Sequence, residues 1–143
     1  RLSLVGSEMC IRDRSDTFLG TVTDTIAFGQ IDPGYNCQLF CIRPAQQNPQ
    51  VLATSRHISC GATDLSDVGW NAGILAGNST PVASDPYTLL IHEPAGYGSP
   101  GVTITGGKLI SNTRNGAVRW ITMVNDDGGE ISWTLDYSSG LNN

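Results

Sequence analysis

The sequence predicts an all-β fold: an antiparallel sandwich or small barrel of about eight strands, with little or no helix. Three observations carry that expectation. Charged residues make up only 15% of the 143 residues, against about a quarter in average globular proteins, and Gly, Ser, Thr and Asn take their place. The exchange removes helix formers and supplies turn formers and strand-compatible hydroxyls. Apolar residues recur at every second position in several stretches, the period of a half-buried strand. Turn signals separate those stretches every eight to twelve residues or so, as in a sandwich or barrel.

In chain order, residues 17–28 put Phe18, Val22, Ile26 and Phe28 on one face and Thr21, Thr23 and Thr25 on the other. Asp32-Pro33-Gly34 is a turn, because proline presets its second position and glycine accepts positive φ at the third. Residues 35–43 form a second strand, closed by Pro44, and residues 51–58 a third. The stretch 61–86 is the least regular: Thr63-Asp64-Leu65-Ser66-Asp67 fits one helical turn, and Ile74-Leu75-Ala76 is a short apolar piece in loop. Residues 87–93 are apolar enough for a central strand. Gly106-Gly107 reads as a two-residue hairpin turn between 102–105 and 108–111, and Asn115-Gly116 as a stronger one. Residues 117–125 and 130–137 then flank Asp126-Asp127-Gly128-Gly129 as a hairpin, the most secure part of the pattern, with Trp120 and Trp133 expected to pair in the core.

Met9-Cys10-Ile11-Arg12-Asp13-Arg14 back-translates as ATG TGT ATA AGA GAC AGR, which resembles the end of a transposon adaptor used to prepare sequencing libraries. Residues 1–14 are therefore expected to be adaptor read-through or another non-native leader, 15–137 a single β domain, and 138–143 a loose tail. The chain opens on Arg1 rather than Met, so its native start is expected upstream. Without the leader, three basic and two acidic residues leave, the formal charge moves from −5 to −6, and Lys108 is the one lysine. That acidity disfavours a nucleic-acid groove or docking on anionic lipid, both of which need a basic face. No apolar run approaches the roughly eighteen residues of a membrane-spanning helix.

With Cys10 set aside, Cys37, Cys41, His57 and Cys60 have the residue types of a Cys3His zinc set. Extended residues 37–41 would hold their two thiols roughly 13 Å apart, at about 3.3 Å per residue, too far to share one ion or bridge each other. A bridge from Cys37 or Cys41 to Cys60 fits better, with buried thiols as the alternative, and would place the protein outside a reducing compartment. The sequon Asn78-Ser79-Thr80 is compatible with that setting.

The remaining motifs have structural readings. Gly96-Tyr97-Gly98-Ser99-Pro100-Gly101 matches a dinucleotide fingerprint, but the β-branched residues 102–105 follow it instead of a helix, so it reads as a turn. Residues 51–60 resemble the strand-then-histidine segment of chymotrypsin-like proteases, without the spacing or a glycine-flanked serine. His57 and His92 are thus taken as structural, since a base needs a nucleophile and an orienting acid in reach. The acidic residues 125–130 lack the alternating ligand spacing of a calcium loop and suit a turn. Trp70 and Tyr97 are candidates for an exposed sugar-stacking platform.

These observations give an expectation of a non-enzymatic structural or self-assembling β domain of an extracellular filament, virion or surface layer. Its partner is then another copy of itself, with no cofactor, nucleic acid or membrane insertion. The alternatives are a carbohydrate- or ligand-binding sandwich using Trp70 and Tyr97, and a metal site or hydrolase built on Cys37, Cys41, His57 and Cys60.

Overall fold

The computed structural model describes residues 2–3, 8–12, 17–27, 40–56 and 59–140. The chain divides into two units, Arg1–Gln46 and Gln47–Asn143. In the first, β1 (Leu2–Ser3) pairs antiparallel with β4 (Thr25–Ile26), and β2 (Glu8–Arg12) lies between β3 (Thr17–Val22) and β5 (Phe40–Pro44). The expected strand over 17–28 is broken at Thr23-Asp24, where the chain bends. Of the expected strand 35–43, the part from Phe40 is β5, and residues 35–39, with the turn at Asp32-Pro33-Gly34, lie outside the described residues.

The second unit holds eight strands: β6 (Gln50–Thr54), β7 (Leu65–Asn71), β8 (Ile74–Ser79), β9 (Tyr87–His92), β10 (Gly101–Thr105), β11 (Lys108–Asn115), β12 (Val118–Val124) and β13 (Ile131–Asp136). They form two antiparallel four-stranded sheets, ordered β10-β13-β8-β7 and β11-β12-β9-β6, that pack face to face as a sandwich and do not close into a barrel. Among the described residues there is no α-helix, and Ser138–Gly140 is a single 3-10 turn. The core is the alternate residues of the inner faces: Tyr87, Leu89 and Ile91 with Ile121 and Met123 on one sheet, against Leu75, Ile131, Trp133 and Leu135 on the other. None is more than 2% exposed, and such burial contributes about 1.5–3 kcal/mol per large side chain before chain entropy is opposed to it. Trp133 fits because residue 77 is glycine: a Cβ there would stand 2.6 Å from the indole Cζ2. The indole Nε1 then donates to Ser79 Oγ at 2.9 Å. The other face of the β9–β12 sheet also buries Leu52, Leu90 and Val118, which explains why β9 reads as continuously apolar.

The pairing corrects two hairpins. β12 pairs with β11 and β9, while β13 pairs with β10 and β8, so residues 125–130 arch between sheets and 117–137 is not a hairpin. Trp120 and Trp133 consequently sit in different sheets, with Trp133 in the core and Trp120 half-buried on the outer side. Gly106-Gly107 is likewise an arch, from β10 in one sheet to β11 in the other. Gly106 has φ +78°, and a Cβ there would overlap the Glu130 carbonyl oxygen. Strand period records which side faces the core, and both a hairpin and an arch satisfy it. The hairpin at Asn115-Gly116 is present, with Asn115 paired to Val118. Residues 101–136 are thus one long antiparallel ribbon, from the Gly101–Asp136 pair to that tip, folded over at the two arches.

The irregular stretch contains a further hairpin, β7–β8, in place of the expected loop and helical turn. Its tip, Ala72-Gly73, has positive φ at both residues, 47° and 88°, the signature of a type I′ turn.

Candidate functional site

Two of the open edges, β10 and β11, follow each other in the chain across the Gly106 arch. β11 is the longest strand among those described, at eight residues, and every one but Ser111 is exposed. Leu109 and Ile110 are 43% and 53% exposed there, beside a register shift between Leu109 and Ser111. An edge of this kind presents unpaired backbone donors and acceptors.

The edge is pinned from beneath by a buried charge network. Arg119 occupies an inward position of β12, opposite Ile91, and is 3% exposed. A guanidinium there requires an anion, and Glu93, just past β9 and fully buried, supplies it. Glu93 Oε1 accepts from Arg119 Nε at 2.5 Å and from the Tyr137 hydroxyl at 2.7 Å. Its Oε2 lies 2.9 Å from Arg114 Nε and accepts from Arg119 Nη2 at 3.3 Å. Arg114 also donates from Nη1 to the Tyr97 carbonyl at 3.0 Å, and Arg119 from Nη1 to Asn112 Oδ1 at 2.6 Å. Asn112 and Arg114 are both β11 residues, so the network fixes the second half of the edge strand. At its start, Lys108 Nζ meets Asp126 Oδ2 at 2.6 Å. Burial, then the hydrogen bond and charge of Glu93, push the Tyr137 phenol well above its usual value, so it serves as a donor.

A second polar knot lies around Asp64, 8% exposed in the turn before β7. Its carboxylate accepts from Ser59 Oγ at 2.5 Å, Tyr87 Oη at 2.6 Å and Thr54 Oγ1 at 2.7 Å. Burial alone raises this carboxyl, but the three hydroxyls and a backbone amide together bring it below the ordinary carboxylate value. Each hydroxyl gives its proton to an ionised acceptor, which is the arrangement of a structural tie and not of an activated nucleophile. His92 is half-buried on β9, and burial lowers its imidazole, partly opposed by the charge of Glu93.

Of the residues singled out in the sequence, Cys37 and His57 lie outside the described residues. Cys41 is buried in β5 of the first unit, and Cys60 is half-buried in the turn before β7 of the second. Among the described residues there is no disulfide, and no three His, Cys, Asp or Glu side chains gather to hold a metal. Trp70 and Tyr97 are brought together with Tyr137, with ring centroids 5.7–5.8 Å apart. Trp70 and Tyr97 stand edge to face at 86° and are half-buried, so they cap the core and do not form a coplanar platform. The glycine motif fills the link between β9 and β10 over residues 96–100, and its last glycine, Gly101, opens β10. In the acidic loop, Asn125 accepts from the Asp127 amide at 2.7 Å and donates to the Gly106 carbonyl at 2.6 Å, tying the two arches together.

Glu93, Arg114, Arg119 and Tyr137 were not singled out by sequence reasoning. The available signal is Arg119 itself, a charge in register with the apolar positions 121 and 123. Compared with known proteins, the chain matches no family model, no curated protein and no solved structure.

Proposed function

We propose that this chain is a non-enzymatic β module that associates with a second copy of itself by strand addition along β11. The observation that carries the reading is the edge strand: eight residues, exposed, and held extended by ties from Asn112 and Arg114 to the buried Arg119 and Glu93. A strand already ordered loses little conformational freedom when another pairs with it. Charge favours a second copy as the occupant. The second unit has four cations and eight acids; β11 carries two of the cations and none of the acids. Two copies therefore repel over most of their surface and least along this edge. An antiparallel two-fold pairing centred between Ser111 and Asn112 sets Lys108 opposite Asn115 and Arg114 opposite Leu109, so that no like charges face each other. It would join two four-stranded sheets into one of eight strands. The setting inferred with it, an extracellular filament, virion or surface layer, rests on the charge-poor composition rich in Gly, Ser and Thr.

Light scattering over a concentration series tests the reading. The chain is expected to exceed its monomer mass of 15.2 kDa as concentration rises to about 1 mM, where a contact of about −4 kcal/mol is half-populated. Ile110→Lys places a charge on the open edge without opening the core and is expected to stay monomeric at the same concentrations. A chain monomeric throughout, or a variant that associates equally, overturns the proposal.

A further inference from the structure

The hairpin tip at Asn115-Gly116 carries a reactivity that strand pairing does not use. Asn115 is the one asparagine of the chain followed by glycine. Both residues are exposed between β11 and β12. Gly116 takes φ +60° at the first central position of the turn, and a Cβ there would meet nothing within 4 Å, so the space beside it is open. Among the described residues the Gly116 amide finds no backbone acceptor, and the Asn115 carboxamide makes no side-chain hydrogen bond. Arg114 Nε donates to the Gly116 carbonyl at 3.0 Å, which sets a cation beside the turn. The other described asparagines are held or shielded. Asn78 donates to Asp67 at 3.2 Å, Asn112 accepts from Arg119 at 2.6 Å, and Asn125 donates to the Gly106 carbonyl at 2.6 Å. Asn48 precedes Pro49, whose nitrogen carries no proton, and Asn71 precedes Ala72, whose methyl group crowds the amide.

We infer that Asn115 is a site of spontaneous deamidation in the folded chain, by attack of the Gly116 nitrogen on the Asn115 side chain. The Gly116 amide gives up its proton, and its nitrogen bonds to Asn115 Cγ. The Cγ–Nδ2 bond breaks, and Nδ2 leaves as ammonia with that proton. Water then opens the five-membered imide at either carbonyl. One opening leaves aspartate at 115; the other leaves isoaspartate, with one extra carbon in the main chain. Glycine favours the closure because no Cβ crowds its nitrogen, and the Arg114 charge favours the amide anion that attacks. Either product gives β11 its first acid, and isoaspartate lengthens the chain where Asn115 pairs with Val118. The chemistry at Asn115 stands without strand addition along β11. Its effect on that edge rests on the pairing proposed above, which sets the new acid opposite Lys108 of the second copy.

The test is incubation of the folded full chain at neutral and mildly alkaline pH, followed by peptide mass mapping. Isoaspartate is read separately by labelling with an isoaspartate methyltransferase, and an unincubated sample gives the background. Asn115 is expected to convert about ten-fold faster than Asn71, Asn78, Asn112 or Asn125. Its rate should rise about ten-fold for each pH unit, as the fraction of amide anion does. Gly116→Ala is expected to slow the conversion about ten-fold, by crowding the nitrogen. Asn115→Gln, which leaves the turn glycine in place, is expected to abolish the methyltransferase signal and serves if the first variant does not fold. The inference is overturned if another asparagine converts first, if Asn115 converts only in urea, if Gly116→Ala reacts as fast, or if Asn115→Gln keeps the full isoaspartate signal.

Discussion

Asp64 and Glu93 are both buried in the same sandwich, 8% and 0% exposed, yet their partners differ in kind. Asp64 is held by three neutral hydroxyls, from Thr54, Ser59 and Tyr87. Glu93 is held by two guanidinium groups and one phenol. Hydroxyls rotate and can accept as well as donate, so the Asp64 knot can lose its charge and keep part of its bonding. Guanidinium groups only donate, and Arg119 is almost wholly buried. The comparison teaches that the ionic knot is the less forgiving of the two, although it is not thereby the more stabilising, because desolvation opposes the pairing.

Removing the anion is the severest way to break that comparison. Glu93→Ala leaves Arg119 buried without its partner and is expected to cost about 3–5 kcal/mol, read from urea unfolding midpoints. If Asp64→Ala, measured in the same way, costs more, the ranking of the two knots is reversed.

A smaller effect is expected at Asp64→Asn, about 1–3 kcal/mol near neutral pH, because the amide oxygen still accepts while its NH2 meets a donor. Acid sharpens the contrast. The folded Asp64 carboxyl titrates below its ordinary value, so its contribution is fully present above about pH 4 and is lost as pH falls through the lower, folded value. The difference in melting temperature between the native chain and Asp64→Asn should therefore hold above that pH and shrink below it. A gap of constant size down to pH 2 or so would show that the hydroxyl knot does not hold the carboxylate ionised.

The smallest effect is expected at Lys108→Ala. Its pair with Asp126 is exposed on both sides, and at about 0.15 M salt such pairs are largely screened. No shift in the melting curve should be resolved; a clear one would mean that the arches depend on this pair.

The fold class was legible because alternation survives in β12 and β13 and β9 is apolar on both faces, and their inner residues are the core. Pairing was not, since the same alternation serves a hairpin and an arch, and Gly106-Gly107 carries the residues of a tight turn while acting as a close crossing beside Glu130. β7 was missed for local reasons: it is an exposed edge, its register shifts between Ser66 and Gly69, and alanine stands where its hairpin tip needs positive φ. The Glu93 network was legible only in part. Arg119 marks an inward charge, but its partners come from β11, from the end of β9 and from Tyr137 beyond β13, and no spacing in the sequence joins them.

The folded-over ribbon bears on the order in which contacts form. At its tip two residues separate the Asn115–Val118 pair, whereas Thr105 and Ser132 pair across the whole of β11 and β12. Closing a longer loop costs more chain entropy, about 0.6 kcal/mol for each doubling, so the tip holds the cheapest pairs. Once β11 and β12 are zipped, the remaining loop shortens to the two arches, and Asn125 already reaches across both of them to the Gly106 carbonyl. The strand offered at the open edge is thus among the first that the ribbon can assemble, and its exposed side is presented before the sandwich has closed behind it.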